Sequence, residues 1–183
     1  YVIWDDRSEV TFGEIFATHI SADGSIVEPD IGVLIMNHSA TRSGISLETG
    51  GNGHAVLGWA DDRDEGGLYK VYSQRIDQDC NTLWSDPDDG GVLVCGIGDA
   101  QDLNRHPRIS YVSGDISVMV WEDYRVDGVN GDVFLQFLDG NGNSILEEDG
   151  VVVTTASGSQ YLPRVKADEN YAYVVWEDKR NHP

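Results

Sequence analysis

The sequence predicts an all-β protein made of four-stranded antiparallel blades, about three of them, arranged as a partial β-propeller. A Trp-x-Asp-x-Arg cassette returns along the chain at near-constant spacing, and alternating apolar runs lie between its copies. Nowhere is there an amphipathic stretch long enough for a helix of three turns.

The cassette copies are Trp4-Asp5-Asp6-Arg7, Trp59-Ala60-Asp61-Asp62-Arg63, Trp121-Glu122-Asp123-Tyr124-Arg125 and Trp176-Glu177-Asp178-Lys179-Arg180. Their tryptophans lie 55, 62 and 55 residues apart, and the first copy is one residue short between its aspartate and arginine. After the first three arginines come the runs 14–20, 70–76 and 132–138, with apolar side chains at every second position, the pattern of half-buried strands. Each run ends in a polar turn: Ser21-Ala22-Asp23-Gly24, Asp77-Gln78-Asp79-Cys80-Asn81, or Asp139-Gly140-Asn141-Gly142-Asn143. Asp and Asn bond their own backbone there, and Gly accepts positive φ, so these are hairpin turns. A further strand follows each turn, ending in Gly32-Val33-Leu34-Ile35, Gly91-Val92-Leu93-Val94 or Gly150-Val151-Val152-Val153. The next unit begins with a short segment at 43–46, 106–110 or 162–166, which leads into the strand carrying tryptophan.

The expected organisation is one repeat domain over 1–183, with units at about 4–58, 59–120 and 121–175 and the start of a further unit at 176–183. The first residues read as the second strand of a blade, and so do the last, so the chain is expected to be a piece of a larger propeller. Three four-stranded units also suit a β-trefoil, the alternative architecture. The period argues against it, as does the fourth cassette.

The charge is strongly acidic: 12 Lys and Arg against 32 Asp and Glu, formal net −20. Such a surface repels nucleic-acid phosphates and anionic membranes and favours solubility. No apolar run is long enough to span a bilayer as a helix. The expected partners are the remaining blades of the same chain or neighbouring subunits, with glycans as a further class, and neither nucleic acid nor membrane insertion. The expected location is extracellular or at the cell surface. Cys80 and Cys95 read either as a disulfide or as two thiols.

The cassette has a structural reading. Trp4, Trp59, Trp121 and Trp176 bury their rings against a neighbouring blade, Asp61, Asp123 and Asp178 accept backbone N–H groups where the strand ends, and Arg7, Arg63, Arg125 and Arg180 pair with nearby carboxylates. A motif present in every blade builds the blade, and convergence of the arginines on an anionic ligand is the rival. The turns also have a metal reading, for Asp77, Asp79 and Asn81, and likewise Asp139, Asn141 and Asn143, place oxygen-bearing side chains at alternate positions, as a calcium loop does. Ca2+ is thus the one candidate cofactor. Neither set carries a bidentate glutamate at the EF-hand distance, and Asx-turns are the plain alternative. The second unit has longer loops, around 86–90 and 96–102, where binding function can lodge. The histidines do not repeat, and no His-x-x-x-His, Cys-x-x-Cys, phosphate-binding glycine loop or nucleophile elbow occurs. No catalytic residue is assigned.

The segment Asp77-Gln78-Asp79-Cys80-Asn81-Thr82-Leu83-Trp84 resembles the Asp-box hairpin of sialidase-like propellers, with degenerate copies at 139–146 and 21–27. With its cassettes, the whole chain also resembles the repeat regions of large bacterial surface and secreted proteins. The sialidase resemblance implies an arginine triad, a Tyr/Glu nucleophile pair and a carboxylic acid/base. The family's Arg-Ile-Pro element is absent, and His106-Pro107-Arg108-Ile109 has a different order. With 32 acidic residues, any two carboxylates are uninformative about glycoside hydrolysis. The expected function is a non-catalytic extracellular scaffold or protein-binding platform. Carbohydrate binding or processing is one alternative, and calcium-dependent adhesion is another.

Overall fold

In the computed structural model the described residues are 1–6, 13–27, 30–38, 40–63, 68–85, 87–99 and 106–180. They form thirteen β-strands and one short 3-10 turn at Gly51–Gly53. The first sheet holds β1 (Val2–Asp6), β2 (Glu14–Thr18) and β3 (Val33–Met36). The second holds β4 (Arg42–Thr49), β5 (Ala55–Asp61), β6 (Tyr69–Ile76) and β7 (Val92–Asp99). The third holds β8 (Arg108–Ser113), β9 (Ile116–Asp123), β10 (Asp132–Leu138) and β11 (Val151–Thr154). The fourth holds β12 (Gln160–Ala167) and β13 (Ala172–Asp178).

Each sheet is an antiparallel meander whose strand order follows the chain. In both four-stranded sheets the tryptophan strand lies inside, between the first and third strands. The first strands β4 and β8 are neighbours, as are β8 and β12. Lys166 of β12 also pairs with Glu48 of β4. Inner strands gathered about a common centre, with one sheet per repeat, are the architecture of propeller blades. The trefoil alternative does not fit, because every repeat closes a sheet of its own.

The core lies between the sheets. Ile15, Ala17, Ile35 and Met36 of the first sheet meet Ala55, Leu57, Trp59 and Tyr72 of the second. Val56, Val71 and Val94 on the other face of the second sheet meet Met119, Trp121 and Phe134 of the third. A strand therefore buries both faces, one toward each neighbour, so β5 is buried at every position and β9 at all but its first. The alternation seen in the sequence separates two interfaces, whereas half-buried strands would have set core against solvent. The approach is close. A Cβ on Gly58 would stand 2.4 Å from Cε of Met119, so glycine is what lets the second and third sheets meet there.

Candidate functional site

The repeated cassette is the first candidate, and its geometry recurs. Trp59 Nε1 donates to Asp61 Oδ2 at 2.9 Å, and Asp61 Oδ1 accepts Nε of Arg63 at 2.8 Å and its backbone N–H at 3.3 Å. Trp121 Nε1 donates to Asp123 Oδ2 at 2.9 Å, and Asp123 accepts the backbone N–H of Arg125 at 3.0 Å and its Nη2 at 2.5 Å. Trp176 Nε1 donates to Asp178 at 3.2 Å, while Asp178 accepts the Arg180 backbone N–H at 2.9 Å and Nε at 2.9 Å. The aspartate thus joins an indole, a turn amide and a guanidinium. In the first copy Trp4 stacks on Phe16, and Arg7 lies outside the described residues.

The arginine then bridges to the fourth strand's entry. Arg63 Nη1 donates to the carbonyl of Gly90 at 2.8 Å, and Arg125 Nη2 to that of Asp149 at 3.0 Å. Each guanidinium also covers an aromatic ring of the third strand, Tyr72 at 3.8 Å and Phe134 at 4.3 Å from the centroid. Burial works hardest against the charge of Arg125, but the hydrogen bond to Asp123 together with the charges of Cys95, Asp123 and Asp149 outweighs it and holds the guanidinium above its ordinary pKa. In the exposed fourth copy, hydrogen bonds from the side chain and then the backbone of Arg180 hold Asp178 far below the usual carboxylate range.

Behind the tryptophan stands the repeated glycine. A Cβ on Gly32, Gly91 or Gly150 would lie 2.2, 2.7 or 2.5 Å from Cη2 of Trp4, Trp59 or Trp121, and all three have positive φ. Only glycine meets both demands.

The turns form a second repeated unit. Asp77 Oδ1 accepts the backbone N–H of Asp79 at 2.9 Å and of Asn81 at 2.8 Å, and Oδ2 accepts Nδ2 of Asn81 at 3.0 Å. Asp139 binds Asn141 and Asn143 in the same way, at 2.8, 2.9 and 3.0 Å. Hydrogen bonds from Asn143, side chain first, hold Asp139 below its ordinary pKa. In the shorter first copy, Asp23 accepts the hydroxyl of Ser21 and the N–H of Ser25, which lower it to about 2. Cys80 stands at the positive φ that Gly24 and Gly142 take in the other copies. These bonds are those of Asx-turns, with one side-chain oxygen on two backbone amides. No group of three or more His, Cys, Asp or Glu side chains is gathered for a metal among the described residues.

The turns also link blades. Trp84 Nε1 donates to the Gly140 carbonyl at 2.9 Å, and its ring lies over Gly142. Arg75 donates to that same carbonyl at 3.0 Å and pairs with Asp115 at 2.6 Å.

The disulfide reading of the cysteines is corrected. Cys80 and Cys95 are both buried, and no disulfide joins them. They belong to different cores, Cys80 between the first and second sheets and Cys95 between the second and third, where Arg125 Nη2 lies 2.9 Å from its Sγ.

Sequence reasoning passed over a buried glutamine. Gln74 Oε1 accepts the N–H groups of Arg75 and Trp84, both at 3.0 Å, and Nε2 donates to the Ser85 carbonyl at 2.9 Å. Gln136 does the same with Phe137, Leu146 and the Glu147 carbonyl. The signal was present, a glutamine three residues before the turn aspartate in both complete repeats, with Thr18 at that place in the first. Glu122 was also missed. Buried, it accepts the N–H of Leu162 at 2.6 Å and meets His106 at 3.2 Å, joining the third sheet to the fourth. In the long second-unit loops, Asp86 and residues 100–102 lie outside the described residues.

No family model matches the chain, and no curated protein matches it. Among solved structures, a Penicillium chrysogenum α-L-arabinanase complexed with arabinobiose aligns with 90% of this chain and 48% of its own, at 12% identity and a TM-score of 0.43. The chain spans about half the length of that structure's chain.

Proposed function

We propose that this chain is a non-catalytic extracellular propeller module that acts as a scaffold or protein-binding platform. The observation that carries the reading is the use of the repeated polar groups. In the cassettes at 59–63, 121–125 and 176–180, indole, carboxylate and guanidinium bond one another and the turn, and in the two complete repeats the guanidinium also reaches the fourth strand's entry. The turn aspartates are likewise occupied with backbone amides. What the blades leave to a partner is a set of large apolar side chains that face solvent, among them Leu93, Val152, Tyr173 and Val175. The net charge of −20 suits a module that stays soluble and meets proteins in preference to nucleic acid. The resemblance to bacterial surface repeats supports the extracellular placement.

A glycan-binding reading has one observation in its favour. Tyr171 and Tyr173 are exposed and adjacent, with ring centroids 6.2 Å apart, and exposed aromatic rings are platforms for sugar faces. One experiment separates the two. The chain is run on a panel of neutral and sialylated glycans and assayed against aryl glycosides. The platform reading expects neither binding nor turnover. Turnover would refute it, and glycan binding abolished by Tyr173→Ala would establish the second reading in its place.

A further inference from the structure

Outside the cassettes, two arginines stand at one register position on adjacent inner strands. Arg108 of β8 lies opposite Val120 and Arg164 of β12 opposite Val175, and each of those valines immediately precedes a cassette tryptophan. The same place on β4 holds Ser46, opposite Gly58. The arginine is therefore a property of two particular blades and not of the repeat. Both are set in the same way. Each follows a proline, and the residue before that proline, His106 or Leu162, takes a φ of 40° or 51° where β4 has Gly44 at 67°. A non-glycine residue in that region costs about 1–3 kcal/mol, and both blades hold this strain beside the arginine. Nη1 of Arg108 donates to the carbonyls of Pro107 at 2.9 Å and of Gly44, on β4, at 3.3 Å. Nη1 of Arg164 donates to the carbonyls of Pro163 at 3.0 Å and Leu162 at 3.4 Å. Backbone thus anchors one nitrogen of each guanidinium, while Nε and Nη2 meet no acceptor among the described residues. Those two nitrogens form the fork that Arg63 lays on the carboxylate of Asp61.

The place is the centre about which the inner strands gather. Arg108 reaches β4 on one side, while Ser110, two residues on, accepts the N–H of Ala167 from β12 on the other at 3.0 Å. The fourth sheet covers Val120 completely and still leaves Arg108 part-exposed. A sheet packed on β13 would treat Val175 and Arg164 alike, so access from the centre does not depend on whether one is there. Burial, then the charge of Arg164, holds Arg108 below its ordinary pKa, so the two cations lie within each other's field. Glu122 is the carboxylate near enough to act on Arg108, yet its oxygens are held by the N–H of Leu162, by His106 and by the Tyr124 hydroxyl.

We infer that Arg108 and Arg164 form a binding site for a phosphate group at the centre of the inner strands, each fork taking two of its oxygens. The charge selects the class. One fork satisfies a carboxylate, as Arg63 does Asp61, whereas two forks and two positive charges match a phosphate, which carries about −1.5 to −2 at pH 7. Charges farther off than about 8 Å are largely screened at physiological ionic strength, so the local pair outweighs the net −20. The phosphate is either the free ion or a monoester. Neither arginine belongs to the cassettes or turns that carry the platform reading, so failure of this site leaves that reading as it stands.

The test is an NMR titration at low salt with inorganic phosphate in one arm, O-phosphoserine in a second and acetate as comparator. It is run on the unaltered chain and on Arg164→Gln and Arg108→Lys. At least one phosphate probe is expected to bind with a Kd of about 1 mM or tighter, and about tenfold or more better than acetate. The tighter of the two tells free ion from ester. Arg164 is exposed, so Arg164→Gln is expected to fold, which circular dichroism checks, and to weaken binding about tenfold or more. Arg108→Lys keeps the charge and loses the fork, and a comparable weakening is expected. No saturable shift in either phosphate arm at about 10 mM overturns the inference. So does acetate bound as tightly as phosphate, or undiminished phosphate binding by a folded Arg164→Gln or Arg108→Lys chain.

Discussion

Trp121, Asp123 and Arg125 illustrate how one carboxylate can hold three other groups. Asp123 is fully buried, and removing its oxygens would strand the indole N–H, a turn amide and a half-buried guanidinium together. Asp123→Ala is therefore expected to destabilise the fold by about 3 kcal/mol in urea unfolding, the range for breaking a buried ionic network from one side. Asp178→Ala, in the exposed copy, should cost visibly less. Asp132 acts in the opposite sense. Burial, then the charges of Asp127 and Asp123, raises its carboxyl to about 6. The folded state thus holds that proton more tightly than the unfolded chain. Through this group, stability increases as pH falls from about 6 to about 4, and above 6 the full penalty applies. Asp132→Asn should therefore stabilise by about 1 kcal/mol at pH 7 and by nothing at pH 4. Asp77 and Asp139, whose pKa values are lowered, pull the other way, and their contribution is lost only as pH falls below the ordinary carboxylate range.

At the scale of elements, the strand that follows each turn depends on a glycine beneath the cassette tryptophan. Gly150→Ala must displace either the Trp121 ring or the Leu135 carbonyl, 2.7 Å from the new Cβ, while also holding φ at +82°. A loss of about 2–3 kcal/mol is expected in the same unfolding assay. Gly24→Ala meets nothing within 4 Å and should lose only the backbone term, about 1 kcal/mol. The turns give a second expectation. As Asx-turns they should melt at the same temperature with calcium as with excess EDTA, and a rise of several degrees in calcium would make them metal sites. The strands and turns were legible in the sequence because period-two alternation and Asp-Gly-Asn clusters have local causes. The glutamine clamps were not, since Gln74 and Gln136 look like ordinary polar members of an alternating strand until the segment after the turn folds back over them. The state of the cysteines was equally hidden. Two thiols 15 residues apart can bond or not, and only their placement in separate cores decides it.

For the molecule as a whole, the repeat in the sequence foretold sheets of four strands but not that both faces of the tryptophan strands β5 and β9 would be buried. Alternation looks the same whether the second face meets water or another blade. The difference is plain on β13, where covered and open residues alternate. The account therefore makes stability strongly uneven along the chain, highest where a sheet has neighbours on both sides. Native-state hydrogen exchange, resolved by strand on a dilute sample, measures this most directly. Amides of β5, β6, β9 and β10 should exchange slowest, and those of β1, β3 and β13 orders of magnitude faster. Uniform protection, or slowest exchange in the end sheets, would contradict an architecture held together through its internal faces.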